Sequence, residues 1–101
     1  MIKAKFFNQS DLLTGFEISG HSGSAERGED IICSAVSSAA YMAANTVTEI
    51  LSVEADIKVD DGYLYFKVAP LSETQAILKG LRLHLISLSQ DYPKNIKVTN
   101  I

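Results

Sequence analysis

Two stretches of alternating apolar and polar residues, each followed by a stretch of helical apolar spacing, constrain this chain more than any other feature in it. Ile2, Ala4 and Phe6 alternate with Lys3 and Lys5 over residues 2–7, which predicts a strand. Leu13, Phe16 and Ile18 are the apolar members of a second strand over 12–19. The polar cluster Asn8-Gln9-Ser10-Asp11 between them reads as a turn, so the pair predicts a hairpin. A helix over about 31–52 follows, because Ile32, Val36, Ala39, Ala40, Ala43, Val47, Ile50 and Leu51 recur at helical spacing. Residues 53–59 and 63–69 predict a second strand pair joined by Asp60-Asp61-Gly62, where glycine readily takes a positive φ. Pro70 stops it. A second helix over about 72–90 carries the stripe Leu78, Leu81, Leu85 and Leu88, widened by Ile77, and Leu83 falls opposite. Ser72-Glu73-Thr74-Gln75 has the form of a capping box. A short strand over 95–100 ends the chain. The expected fold is α+β, one small domain over residues 1–101 in the order β-β-α-β-β-α-β. Its sheet is mostly antiparallel or mixed, with both helices on one face.

With 101 residues and 47% hydrophobic composition, the chain can bury one core unaided. A net charge of −3 and a pI near 5.2 argue against a nucleic-acid-binding protein, and no direct nucleic-acid contact is expected. No run approaches 18 apolar residues and the N-terminus lacks the apolar core of a secretory signal, so no membrane span is expected. The single cysteine excludes an intrachain disulfide and leaves too few thiolates for a structural zinc site. A lone thiol suits a reducing compartment, hence the cytoplasm.

The stretch from Gly20 to Asp30 holds three of the six glycines and no periodicity, which predicts a mobile loop. Asp30 is placed to cap the helix behind it. His21 then ends the second strand, and Cys33 falls in the expected first turn of the helix. A loop that doubles back can bring imidazole and thiol together, the minimum for thiol-based acyl transfer. The first turn of a helix would add free N–H groups and a partial positive charge, which favour a thiolate and could hold an oxyanion. Taken singly, neither residue compels that reading. A lone cysteine in an Ala-rich helix is more often a small hydrophobe, and a loop histidine is more often bonded to backbone.

The local sequence decides between them. Gly20-His21-Ser22-Gly23, followed by Gly28-Glu29-Asp30-Ile31-Ile32-Cys33-Ser34-Ala35-Val36-Ser37, resembles the signature of the bacterial ribosomal-processing cysteine proteases. There a Gly-His motif precedes a Gly-x-Asp-Ile-Val-Cys-Ala-Ala-Val-Ser-like run at this spacing. The likeness extends over the chain in length and element order, and its specific part is residues 20–37.

The resemblance implies a Cys-His peptidase of Gram-positive and related bacteria. Such an enzyme removes a short N-terminal extension from the large-subunit ribosomal protein numbered twenty-seven. The extension ends in hydrophobic residues, typically a Phe pair. The resemblance also implies a homodimer that needs no cofactor. Carried onto this chain, Cys33 is the nucleophile and His21 the general base. Gly20, Ser22, Gly23 and Gly28 belong to a substrate-binding or gating loop. The chain departs from the pattern at Ser22, Ile32 and Ser34, where the family has Ala, Val and Ala, and none of these changes removes a reactive group.

Other residues carry less. Asp30 could orient His21 or only cap the helix, and the cap is the simpler role. Glu26 and Glu29 read as solvated charges able to meet a basic substrate. Ser34, Ser37 and Ser38 read as packing or weak polar contacts. His84 reads as a surface or interface residue, and Leu83 with Tyr63 and Tyr65 as a candidate dimer surface. Two other classes of function are a non-catalytic ribosome-associated binding module and a thiol redox sensor. The first has no use for the His21–Cys33 pair, and the second needs a resolving thiol from elsewhere.

Overall fold

The computed structural model describes residues 1–20 and 27–100, with the backbone alone over 27–30. The order is β1 (Ile2–Gln9), β2 (Leu12–Ser19), α1 (Arg27–Asn45), β3 (Asp56–Asp60), β4 (Tyr63–Lys67), α2 (Gln75–Asp91) and β5 (Ile96–Asn100). A π turn over Thr46–Ile50 extends α1, and a 3₁₀ turn over Ser72–Thr74 leads into α2. The expected β-β-α-β-β-α-β order and α+β class are those observed.

The five strands form one sheet in the order β3-β4-β2-β1-β5. β1 pairs parallel with β5, and the remaining neighbours are antiparallel, so the sheet is mixed. Period-two alternation in β1, in β4 and over the Phe16–Ile18 end of β2 sends one set of side chains into the core. Register aligns Phe6 with Phe16 and Phe16 with Phe66 across three strands. Their ring centroids lie 6.1 Å and 5.2 Å apart, and all three rings are fully buried. Each such burial stabilises the fold by roughly 1.5–3 kcal/mol.

Against this floor α1 sets Val36, Ala40 and Ala43, the π turn sets Val47, and α2 sets Leu78, Leu81 and Leu85, all buried. The small α1 residues let its backbone approach the sheet closely. By length and hydropathy alone, Ile31–Ile50 would also suit a membrane span. Here one stripe of that segment is built into the core under the sheet.

Strand bounds shift from the sequence reading by up to three residues, with β3 beginning at Asp56 and β4 ending at Lys67, and three differences at the helices go further. α1 begins at Arg27, four residues before the expected start, so residues 27–30 are its first turn and not the end of a loop. Asp30 is therefore inside the helix and does not precede it as a cap. The acidic pair Glu29-Asp30 suits a helix N-terminus even without a capping position. At the other end the α-helix stops at Asn45. Thr46 Oγ1 donates to the Met42 carbonyl at 2.7 Å and Thr48 Oγ1 to that of Ala44 at 3.2 Å. The Leu51 N–H then reaches Thr46 O at 2.9 Å, a five-residue step. Threonine hydroxyls that bond back along a helix compete with its ladder, which is the setting for this widened turn. Third, Ser72-Glu73-Thr74-Gln75 forms no capping box. The segment is a 3₁₀ turn without a side-chain cap, and the Gln75 amide is used elsewhere.

Candidate active site

Cys33 is the seventh residue of α1, not a first-turn residue. At 1.5 Å per residue, it sits about 9 Å along the axis from Arg27. The unpaired N–H groups of the helix start belong to the first four residues, so they do not surround its sulfur. The expected coincidence of thiol, positive helix end and oxyanion donors is accordingly corrected: Cys33 lies beyond the first turn of α1.

That pocket has a volume of about 270 Å³. Cys33, half-buried, shares it with Ser37 and Tyr41, which follow at i+4 and i+8 on the same helix face. Ile18 and Leu64 from the sheet and Val36 and Ala40 from the helix give it an apolar floor. Asp60, Asp61 and Gly62 of the β3–β4 turn close the far side. A larger open depression of about 900 Å³ elsewhere on the surface is lined by neither cysteine nor histidine, so size does not pick out the site.

Gly20 also lines the Cys33 pocket, and it is held there by two features. Its N–H donates to the Gly62 carbonyl at 2.9 Å, tying the end of β2 to the β3–β4 turn. Its φ is +92°, and a Cβ at this position would overlap the Met1 carbonyl. Only glycine fits both the angle and the approach. Strand β2 therefore delivers the chain to the pocket one residue before His21. His21, Ser22, Gly23 and Glu26 lie outside the described residues. Gly28, Glu29 and Asp30 lie in the first turn of α1.

Ser37 shows what the sequence reading missed. It was expected to pack or to make weak polar contacts, yet it lines the pocket beside the thiol. The signal was its i+4 spacing from Cys33, which puts both on one helix face. His84 is exposed on α2, in a groove with Ala35, Met42, Ile77 and Leu81, away from Cys33. Leu83 does not share a surface with Tyr63 and Tyr65. The tyrosines stand on the face of the sheet opposite buried Leu64 and Phe66, while Leu83 projects from the helix layer. The proposed joint surface is thereby corrected. Among the described residues, no three His, Cys, Asp or Glu side chains converge as metal ligands would.

A half-buried thiol lining a side-chain-sized pocket, on a helix packed against a mixed sheet, fits the class of thiol hydrolases. The comparisons narrow that class. The family model for cysteine protease Prp matches residues 1–97, and the chain belongs to that family of cysteine peptidases. The ribosomal processing cysteine protease Prp of Bacillus subtilis is 31% identical over 98% of this chain and 96% of its own length. Its counterpart from Staphylococcus aureus is 26% identical over 90% of each. The structure of an essential ribosomal processing protease Prp from Staphylococcus aureus, with a covalently linked product peptide, superposes with a TM-score of 0.88. It is 25% identical over the full length of both chains. A Streptococcus mutans protein, 24% identical over all of this chain and 94% of its own, shares the fold with a TM-score of 0.87.

Proposed function

We propose that this cysteine peptidase removes a short hydrophobic N-terminal extension from a large-subunit ribosomal protein precursor, with Cys33 as nucleophile and His21 as general base. The observation that carries the reading is the shared pocket: Cys33 lines it from α1, and Gly20, the residue before His21, lines it from the end of β2. The Prp relatives are named for ribosomal processing, and one holds a product peptide covalently.

In this reading His21 takes the proton of the Cys33 thiol, and the thiolate attacks the scissile carbonyl. The carbonyl π pair moves onto oxygen, then returns as the C–N bond breaks. His21 gives its proton to the leaving amine. Water, deprotonated by His21, attacks the thioester, releasing the carboxylate and restoring the thiol. The apolar floor of Ile18, Val36, Ala40 and Leu64 suits a hydrophobic side chain next to the cleaved bond. Gly20, Ser22 and Gly23 belong to the segment that covers the peptide, Gly28 follows it in the first turn of α1, and Asp30 orients His21. The enzyme works in the cytoplasm as a homodimer.

The test is mass spectrometry of the extended precursor after incubation with wild type, Cys33→Ala and His21→Ala. Wild type should trim the extension, Cys33→Ala should leave it whole, and His21→Ala should slow trimming on the order of 10²–10⁴-fold. Normal trimming by Cys33→Ala would refute the assignment. Light scattering of the purified chain decides the dimer.

A further inference from the structure

The face of the sheet turned away from the helices is not covered by any element of this chain among the described residues, and its composition is unlike that of the protein as a whole. Register sets its side chains in three rows across the strands. One row is Asp60, Tyr63, Ser19, Lys3 and Lys97; the next is Lys58, Tyr65, Glu17, Lys5 and Thr99; the third is Asp56, Lys67, Gly15 and Phe7. Five of the nine cationic side chains of the chain stand here, namely Lys3, Lys5, Lys58, Lys67 and Lys97, with only three of its twelve carboxylates. The net charge of −3 thus conceals a basic face on an acidic protein.

The aromatic residues are placed among those lysines. The Phe7 and Tyr65 rings stand 5.7 Å apart across the strand between them, where Gly15 has no side chain to separate them. A depression of about 410 Å³ is lined by both rings with Thr14, Glu17 and Lys67. Lys58 Nζ lies 5.2 Å from the Tyr65 ring centre. Farther along β1, Lys3, Lys5, Lys97 and Thr99 enclose a second hollow of about 190 Å³. Glu17, the carboxylate at the centre, accepts the Tyr63 hydroxyl at 2.7 Å. The cationic track therefore follows β5 and β1 and turns across Phe7 to Lys67.

We propose that this open face binds single-stranded RNA. Lysines along β1 and β5 would neutralise successive phosphates, and the Phe7–Tyr65 depression would receive an unstacked base. Rings on an open sheet flanked by cations are how single strands are held without demanding a particular sequence. The β1 and β5 lysines and the Phe7–Tyr65 depression stand apart from Cys33, whose pocket reaches this face only at Asp60 and Tyr63, so the proposal does not depend on the protease assignment.

The test is fluorescence anisotropy of the full chain with a 5′-labelled single-stranded RNA twelve nucleotides long, read between 50 and 200 mM salt. If three lysines meet phosphates, log affinity should fall with log salt at a slope of about −2. Lys3→Ala/Lys5→Ala/Lys97→Ala should bind at least about tenfold more weakly and flatten that slope. Phe7→Leu keeps the apolar bulk but not the ring, and should weaken single-strand binding several-fold. Peptide cleavage should be unchanged in these variants, which also shows that they fold. Absence of binding by wild type at 50 mM salt, or unaltered binding by the triple variant, would overturn the proposal. So would equal affinity for duplex RNA, or binding to phosphatidylglycerol vesicles in place of RNA.

Discussion

Gln75 serves as the strand partner of Leu13. Its Oε1 accepts the Leu13 N–H at 2.8 Å, and its Nε2 donates to the Leu13 carbonyl at 2.9 Å. The same Nε2 donates to the Leu71 carbonyl at 2.8 Å. β4 ends at Lys67, and Val68 N–H makes the last backbone bond to β2, at Thr14 O. The chain then leaves through Pro70, and the amide at the head of α2 takes over the vacated place. Sheet and helix are joined by that side chain.

Gln75→Leu should therefore cost more than a polar-to-apolar change in the core usually does. It would leave a buried donor and a buried acceptor of Leu13 without Gln75, at roughly 1–3 kcal/mol each. A loss on the order of 2–4 kcal/mol in denaturant unfolding is expected, at unchanged m-value. A loss below about 1 kcal/mol would show that water or another group replaces the amide.

Nothing local in Ser72-Glu73-Thr74-Gln75 reveals this bond, since its partner is 62 residues away. The capping-box pattern pointed instead to a local role. The same limit explains the other differences. Strand alternation, the Asp60-Asp61-Gly62 turn and the leucine stripe of α2 are local signals, and they carried the element order. The start of α1 was misplaced because Gly28 and a run of polar residues look like loop until the backbone is seen to be helical at Arg27. The Cys33 pocket depends on Gly20 meeting Gly62, a tertiary contact, whereas the family was legible from a motif spanning residues 20–37.

Gly15 should not tolerate alanine. Its φ is +150°, and an added Cβ would overlap the carbonyl oxygen of Phe66, which is backbone in a central strand and cannot step aside. Gly15→Ala should destabilise the domain by about 3 kcal/mol or more, through strain and loss of β2–β4 pairing. Thermal unfolding followed by circular dichroism measures it: about 3 kcal/mol corresponds to a Tm drop of roughly 12–24 °C in a domain of this size, and a Tm within about 2 °C of wild type would contradict the argument.

The Tyr63 hydroxyl should ionise above the ordinary phenol range. The chief cause is its hydrogen bond to Glu17, followed by burial and by the negative charges of Glu17 and Tyr65, all of which oppose a phenolate. Because the folded value is raised, the stabilising contribution is complete below the ordinary value of about 10. It declines as pH rises from there through the folded value, because the unfolded chain ionises first. In a titration followed at 295 nm, Tyr63→Phe should remove the most alkaline phase. Glu17→Gln should move that phase to lower pH. An unmoved phase in Glu17→Gln would assign the shift to something other than this pair.

If the hollow beside Cys33 receives the residue next to the cleaved bond, filling it should block peptides while sparing the thiol. Ser37 is suited to the experiment because it lines the hollow yet is exposed, so a larger side chain there does not enter the core. Ser37→Phe should lower kcat/KM for a hydrophobic peptide by at least about tenfold, a loss of roughly 1.4 kcal/mol in transition-state stabilisation. Stability should change by no more than about 0.5 kcal/mol, as for other surface substitutions. Alkylation of Cys33 by iodoacetamide supplies the control, since a small reagent still reaches sulfur when a side chain of the substrate cannot. Slowed cleavage with near-normal alkylation assigns the effect to the hollow. Cleavage at the wild-type rate would place the substrate side chain elsewhere on the surface around Cys33.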